Sequence, residues 1–267
     1  WVCNGGSQPD NDTVNVATGQ SVVCTITNDD NLAGLTLITQ VVNDNGGTAI
    51  ESDWSLNAIG PTGFSGPGPS VVSSADFQAG TYVLSQSGPA GYAASDWTCE
   101  GGNQVDTDTI IVDSGETVTC SLDNDDETPK LALVKQVTND SGGTAIPSDW
   151  TLTATGPTGF VGTGPSIESG TGFEAGTYDL SQIGPDGYSS EAWSCLGGTQ
   201  DDGDTVTVTP GQSATCRIRS NDSPPTLRLF KTVINDDGGE ITNPDAFGLR
   251  IDGVLIAHSA TRTLNAG

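Results

Sequence analysis

Methionine is absent from this chain, histidine occurs once (His258), and lysine plus arginine number only 8 among 267 residues. Each scarcity excludes something. With 34 aspartates and glutamates against those 8 cations, the net charge is −26. No basic stripe is therefore available to displace counterions from nucleic acid, and an anionic membrane surface is excluded for the same reason. No apolar run approaches the roughly 18 residues that a transmembrane helix needs, so no membrane insertion is read within this segment. Nor does a 3.6-residue apolar stripe persist for three turns anywhere, so no substantial helix is predicted. Aromatic residues make up 6% of the chain, which leaves a domain of ordinary size a limited core. No signal peptide and no initiating methionine are visible. The chain opens inside a repeat and reads as a processed or partial chain whose targeting segments lie elsewhere.

What the sequence has in abundance is repetition. Trp97-Thr98-Cys99-Glu100-Gly101-Gly102 leads to Val118-Thr119-Cys120 and the acidic Asn124-Asp125-Asp126. Trp1-Val2-Cys3-Asn4-Gly5-Gly6 leads likewise to Cys24 and Asn28-Asp29-Asp30, and Trp193-Ser194-Cys195-Leu196-Gly197-Gly198 to Cys216 and Asn221-Asp222. The cysteines of each copy are 21 positions apart and successive copies 96 positions apart. A fixed period of this length fixes the architecture before any local motif is read. Six cysteines at one repeat phase, with none left over, argue for three disulfides: Cys3–Cys24, Cys99–Cys120 and Cys195–Cys216. They point to an oxidising, extracellular setting. Zinc would want clustered cysteine or histidine ligands, and here the pairs stand isolated.

Between the cysteines the pattern is that of strands. Short runs with period-two alternation are broken by Gly, Pro, Asn and Asp turns. In the unit 31–126 the predicted strands are A at 35–42, B at 54–59, C near 71–77, D at 81–85, E around Trp97, F at 109–112 and G at 118–122. The unit 127–222 repeats every one of them. Many short strands at even spacing mean an all-β protein of tandem seven-stranded prealbumin- or immunoglobulin-like sandwiches, about 96 residues per repeat with one disulfide each. Residues 1–30 read as strands E–G of a preceding repeat, and 223–267 as strands A–C of a further one, stopping before a D strand. Trp54, Trp97, Trp150 and Trp193 recur at fixed phases on predicted strands and are expected in the cores. Short linkers carrying Pro129 or Pro224-Pro225 restrict hinge motion.

Strand A as Leu131-x-Leu133-x-Lys135-x-Val137, with the block Gly176-Thr177-Tyr178-Asp179-Leu180-Ser181-Gln182 and Gly184-Pro185-Asp186-Gly187-Tyr188, resembles the Cna B-type, SpaA-like prealbumin-fold domains. These recur in the stalks of bacterial surface adhesins and pilus subunits. The resemblance implies an isopeptide bond from a first-strand lysine to an asparagine ending the last strand, assisted by a carboxylate. Carried onto this chain it names Lys135 and Asn221. The chain departs from that pattern: Thr39 stands where the second repeat has Lys135, and Gln86 and Gln182 replace the family's glutamate.

If consecutive strands alternate in direction, the A–B loop, the E–F loop and the end of G share one pole of each sandwich. That gathers Asp44, Asp106, Asp108, Asp125 and Asp126 in one repeat, and Asp140, Asp202, Asp204 and Asp222 in the next. The opening fragment contributes Asp10, Asp12, Asp29 and Asp30. Oxygen ligands from several loops suit calcium, which takes six to eight of them; no cofactor is required, and Ca²⁺ is the candidate ion. Turn-making is the competing role for these residues. For function, the pattern reads as a structural segment of an extracellular or cell-surface protein, a rigid stalk or filament. Its partners are then further copies, met head to tail or as the continuation of a longer array. The alternative is an adhesin module recognising glycan or host protein through the Gly-rich loops at 60–64 and 156–160, whose Phe64 and Phe160 look exposed. An enzyme is not read here: nucleophilic catalysis wants a base beside a serine or cysteine, and His258 is alone.

Overall fold

Alternation of apolar and polar residues is what builds the sheets. In Leu131-Ala132-Leu133-Val134-Lys135 the odd positions are buried, and in Val118-Thr119-Cys120-Ser121-Leu122 the even ones are; such a strand must lay one face on a core. The computed structural model describes residues 1–264, so the expected end of the closing segment at Asn265, Ala266 and Gly267 lies outside the described residues. Contacts divide the chain into two compact units, one of 1–41, 49–89 and 94–124, the other of 42–48, 90–93 and 125 onward.

The opening segment holds β1 (Val2–Asn4) and β2 (Val23–Thr25), an antiparallel pair with Cys3 opposite Cys24. The first full repeat runs β3 (Gly34–Val42), β4 (Ser55–Ile59), β5 (Phe64–Pro67), β6 (Ser70–Val72) and β7 (Gly80–Ser87). It continues with β8 (Tyr92–Ala94), β9 (Thr98–Glu100), β10 (Asn103–Gln104), β11 (Thr109–Val112) and β12 (Thr117–Asp126). Two sheets result, ordered β6-β3-β12-β8 with β9 also on β12, and β10-β11-β7-β4-β5. The second repeat matches strand for strand: β13 (Lys130–Thr138), β14 (Thr151–Thr155), β15 (Phe160–Thr163), β16 (Ser166–Glu168) and β17 (Gly176–Ile183). Then follow β18 (Tyr188–Ser190), β19 (Ser194–Leu196), β20 (Thr199–Gln200), β21 (Thr205–Val208) and β22 (Ser213–Asp222). Its sheets are β16-β13-β22-β18 with β19, and β15-β14-β17-β21-β20. The closing segment has β23 (Thr226–Arg228) paired with β26 (Thr261–Thr263), and β24 (Arg250–Ile251) with β25 (Val254–Leu255). Among the described residues, helix is confined to single 3-10 turns at Glu51–Asp53, Pro147–Asp149 and Pro244–Phe247.

The predicted strands A, B, D, F and G are present, and three details differ. Strand C, expected near 71–77, is strand only through Val72, as β6, and an unexpected strand, β5, precedes it across the cis bond between Gly68 and Pro69. Tyr92–Ala94 and Asn103–Gln104 are strands the sequence reading left as loop. Strand G runs four residues further than predicted, through Asp126. What read as an acidic tail is strand, and its alternation turns Asn124 and Asp126 inward.

Each core sits between its own two sheets. Trp54, Trp97, Trp150 and Trp193 are all buried. The tyrosines of the repeated Gly-Thr-Tyr block, Tyr82 and Tyr178, stack on Phe77 and Phe173 at 4.7 Å between ring centroids. Their hydroxyls, buried at the far end of the ring, donate to the backbone oxygens of Gln78 and Glu174 (2.7 and 2.8 Å). Phe64 and Phe160 are half-buried, edge-on against Phe77 and Phe173, so these loop rings belong to the cores.

Candidate functional site

The polar interior of each sandwich lies where the first strand, the last strand and the strand carrying the Leu-Ser-Gln triplet face one another. In the first repeat these are β3, β12 and β7. Alternation along β12 carries Asn124 inward to 1% exposure, opposite Thr39. The Asn124 side-chain amide donates to Thr39 Oγ1 at 2.8 Å, and Gln86 Nε2 donates to Asn124 Oδ1 at 2.6 Å. Three neutral groups satisfy one another, as buried polar groups must.

In the second repeat the corresponding residues are Lys135, Ser220 and Gln182. Lys135 is 2% exposed. Its ammonium donates to Gln182 Oε1 at 2.7 Å and to Ser220 Oγ, and lies 4.3 Å from the Trp150 ring centroid. Ser220 Oγ shares a further bond with Ser190 Oγ (2.7 Å), which in turn accepts from Gln182 Nε2 (2.6 Å). No carboxylate among the described residues joins this network. Burial therefore pulls the lysine down to about 8 from its ordinary 10.5, since desolvation disfavours the charged form.

The structure does not bring Lys135 to Asn221. The parallel register sets Lys135 beside Ile218 and Asn221 beside Thr138, and strand parity gives the inward place to Ser220. Asn221 instead donates to Asp140 Oδ2 at 3.4 Å, and its Oδ1 is buried with no partner. The two repeats thus hold opposite halves of the amine–amide pair. Asn124 faces a threonine, Lys135 faces a serine, and neither has an acid beside it. A glutamine cannot pass on a proton, and a serine has no carbonyl carbon for an amine to attack.

The predicted acidic pole resolves into separate devices. Asp126, buried at the end of β12, accepts the backbone N–H groups of Asp44 (2.9 Å), Asn45 (2.9 Å) and Gly47 (2.6 Å). Asp222 repeats this with Asp140 (2.8 Å), Ser141 (2.9 Å) and Gly143 (2.6 Å). Desolvation pushes the Asp222 carboxyl up, but the amides of Gly143, Asp140 and Ser141 together hold it below its ordinary value. Each carboxylate is the inner anchor of its A–B loop. Asp44 and Asp125 are exposed and have carboxylate oxygens within 4.8 Å of one another and of Asp126.

The E–F aspartates shape their own turns. Asp106 accepts the Asp108 N–H at 3.1 Å and Asp202 accepts the Asp204 N–H at 3.0 Å. Those backbone bonds are the leading cause that lowers both carboxyls. Asp10 makes the same turn with Asp12 (3.2 Å) and is lowered first by the Thr13 hydroxyl. Asp204, hydrogen-bonded to Asp202 and repelled by it, is raised. Asp12, Asp29, Asp30, Asp108 and Asp140 join no metal-sized cluster among the described residues.

The disulfides join Cys3 to Cys24, Cys99 to Cys120 and Cys195 to Cys216, each between directly opposed residues of two antiparallel strands. A cavity of about 510 Å³ beside the start of β13 is lined by Thr128, Lys130, Glu168, Ser169 and Ser213 among others. It contains no histidine or thiol to activate its hydroxyls. No helix among the described residues is long and apolar enough to cross a membrane.

Sequence reasoning missed Ser220, Ser190 and Asn124 as interior groups. The missed signal was strand length: had β12 and β22 been extended by four residues, period-two parity would have named Asn124 and Ser220, while Ser190 lies on β18, a strand read as loop.

A family model described as a prealbumin-like fold domain matches the chain twice, at residues 30–122 and 126–218. No curated protein sequence matches the chain. Among solved structures, the Bacillus anthracis TIE protein is similar at 15% identity with a TM-score of 0.45, covering 79% of this chain and 38% of its own. This chain thus spans well under half of that protein's length. The major pilin T-13 of Streptococcus pyogenes matches at 13% identity and TM-score 0.36, over 71% of this chain and 97% of the pilin. A C-terminal fragment of the pilus adhesin SpaC from Lactobacillus rhamnosus GG matches at 12% identity and TM-score 0.35, over 73% of this chain and 99% of the fragment.

Proposed function

Since the chain belongs to the prealbumin-like fold family, matched in tandem over more than half of its length, we propose that it is a structural segment of an extracellular stalk or pilus-like filament on a bacterial surface. The observation that carries this reading is the repetition itself. Two sandwiches share every strand, the same tyrosine and tryptophan positions, most glycine positions, and a disulfide at the same place. Their buried polar networks are closed on themselves and offer nothing to a substrate. Repeats that preserve scaffold parts suit a spacer, and cross-strand disulfides suit an oxidising exterior. Residues 1–30 and 223–264 fit the same array. The opening pair β1–β2 has the pairing and disulfide of β9 with β12, and β23 runs antiparallel to β26 as β13 does to β16, in a different register.

The adhesin alternative has less to stand on, because Phe64 and Phe160 in the Gly-rich loops pack against Phe77 and Phe173. Calcium adds nothing to the reading either. Asp126 is already engaged by amides, which leaves two exposed carboxylates where calcium takes six to eight oxygens. The test is immunogold labelling of intact producing cells with antibody to the second repeat. Gold on filaments or on the outer envelope is the expected result. Labelling that appears only after permeabilisation overturns the proposal.

A further inference from the structure

We propose that the second repeat is an extensible load-bearing unit. Its first and last strands form a hydrogen-bonded shear clamp with no covalent tie across it, and its disulfide caps how far the unit can lengthen. This rests on the stalk reading for its biological sense, since only a stalk passes tension from one end of a repeat to the other.

The clamp is β13 against β22. They run parallel and in register over nine positions, from Lys130 beside Ser213 to Thr138 beside Asn221. Tension on the chain enters the repeat at the start of β13 and leaves at the end of β22. In a parallel pair those two points lie at opposite ends of the ladder. Pulling them apart slides one strand along the other, so the ladder bonds share the load and fail together. An antiparallel pair pulled from adjacent ends would instead open one bond at a time.

What closes the clamp further is side-chain chemistry. Lys135, midway along β13, donates to Ser220 on β22 and to Gln182 on β17. A covalent amide at this place would make the repeat inextensible. Ser220 supplies no acyl carbon and Gln182 no acid, so the tie is a hydrogen bond that breaks and re-forms. The first repeat has the same arrangement in neutral form, with Thr39 of β3 bonded to Asn124 of the neighbouring β12.

The disulfide lies on the other side of β22 from the clamp. Cys216 pairs with Cys195 of β19, while β13 has no bond to β19. Sliding β13 off β22 therefore leaves Cys195–Cys216 intact. Once the clamp fails, the chain pays out from Lys130 to Cys195, crosses the disulfide, and runs on from Cys216 to Asp222. At about 3.4 Å per residue, less the folded length, that is a step of about 20 nm. The 21-position loop between the cysteines stays locked, and reduction adds about 7 nm at the same rise per residue.

Single-molecule pulling of the 267-residue chain, held by handles at its two ends, tests this. The expected trace has a distinct force peak for each full repeat, a step near 20 nm after it, recovery of the peak on relaxation, and steps about 7 nm longer in reductant. A chain that reaches handle rupture with no step has a covalent tie across the clamp. Steps without a peak mean the strands unzip, and step lengths indifferent to reductant mean the disulfide does not set the limit. Each of these results overturns the proposal. The measurement reads the purified chain wherever it resides, whereas cell labelling reads only location, so the two proposals fail separately.

Discussion

Replacing Lys135 by methionine isolates the one buried cation of the second repeat. Its ammonium ionises near 8 instead of at its ordinary 10.5 because burial disfavours the charged form. Below pH 8 the lysine is charged in both folded and unfolded chains, and folding bears the full desolvation cost. Between the two values the unfolded chain binds more protons than the folded one, so stability must rise with pH. From pH 7 to pH 9.5 the linkage amounts to about 2 kcal/mol. At pH 7, Lys135→Met relieves that desolvation, which offsets the loss of the Trp150 contact, about 0.5–2 kcal/mol. It also leaves Gln182 Oε1 without its donor, about 1 kcal/mol or more. The variant is expected within about 1 kcal/mol of the parent at pH 7, in line with the near-neutral effect of replacing buried charges by apolar groups. Urea unfolding of both proteins at pH 7 and 9.5 is the assay. The parent should gain about 2 kcal/mol relative to the variant on going to the higher pH. With only three lysines in the chain, Lys130, Lys135 and Lys231, isotope-labelled lysine NMR gives the titration directly. A Lys135 signal that titrates at its ordinary value, or parallel pH profiles of parent and variant, would refute the reasoning.

Four further outcomes follow from the same geometry. Asp222→Asn removes a carboxylate held below its ordinary value. The parent loses this stabilisation as pH falls through the acid range, so thermal melts of parent and variant should converge at low pH and separate at neutral pH. Gly184→Ala drives a methyl into the Trp150 indole and should cost about 1–3 kcal/mol by overpacking, read as a lower urea midpoint; unchanged stability would mean the ring is free to move. Reducing the disulfides should cost each repeat about 3 kcal/mol in the chain-entropy model, visible as an earlier melt in reductant. The pair Gln182→Glu with Ser220→Asn puts an acid and an amide carbon beside Lys135. The amine then displaces ammonia from the asparagine, and the intact mass should fall by one ammonia; an unchanged mass would show that more than these two residues blocks the bond.

The sandwich was legible in the sequence because its causes are local. Alternation in Leu131-Ala132-Leu133 and the turn residues around it dictate strands, and the 96-position period dictates copies. The glycine of Gly184-Pro185 is also legible in retrospect, since a Cβ there would overlap Trp150, as one at Gly88 would overlap Trp54. The polar interior was harder to read. Asn124-Asp125-Asp126 carries the composition of a loop, and only tertiary pairing makes it strand. Asn221 was named through resemblance, while a one-residue difference in parity hands the inward position to Ser220. The acidic pole was visible as composition but not as chemistry. Whether an aspartate binds an ion or anchors a loop depends on backbone amides such as those of Asn45 and Gly47, whose directions no residue pattern spells out.

The stacking of the Lys135 ammonium over the Trp150 indole has an optical consequence. A charge that comes and goes above an indole alters its emission, so Trp150 reports the ionisation of its neighbour without any added label. Trp54, its counterpart 96 positions earlier, lies in a repeat whose equivalent residue is the uncharged Thr39. One polypeptide therefore contains a sensor and its matched blank, folded alike and differing at the group being sensed.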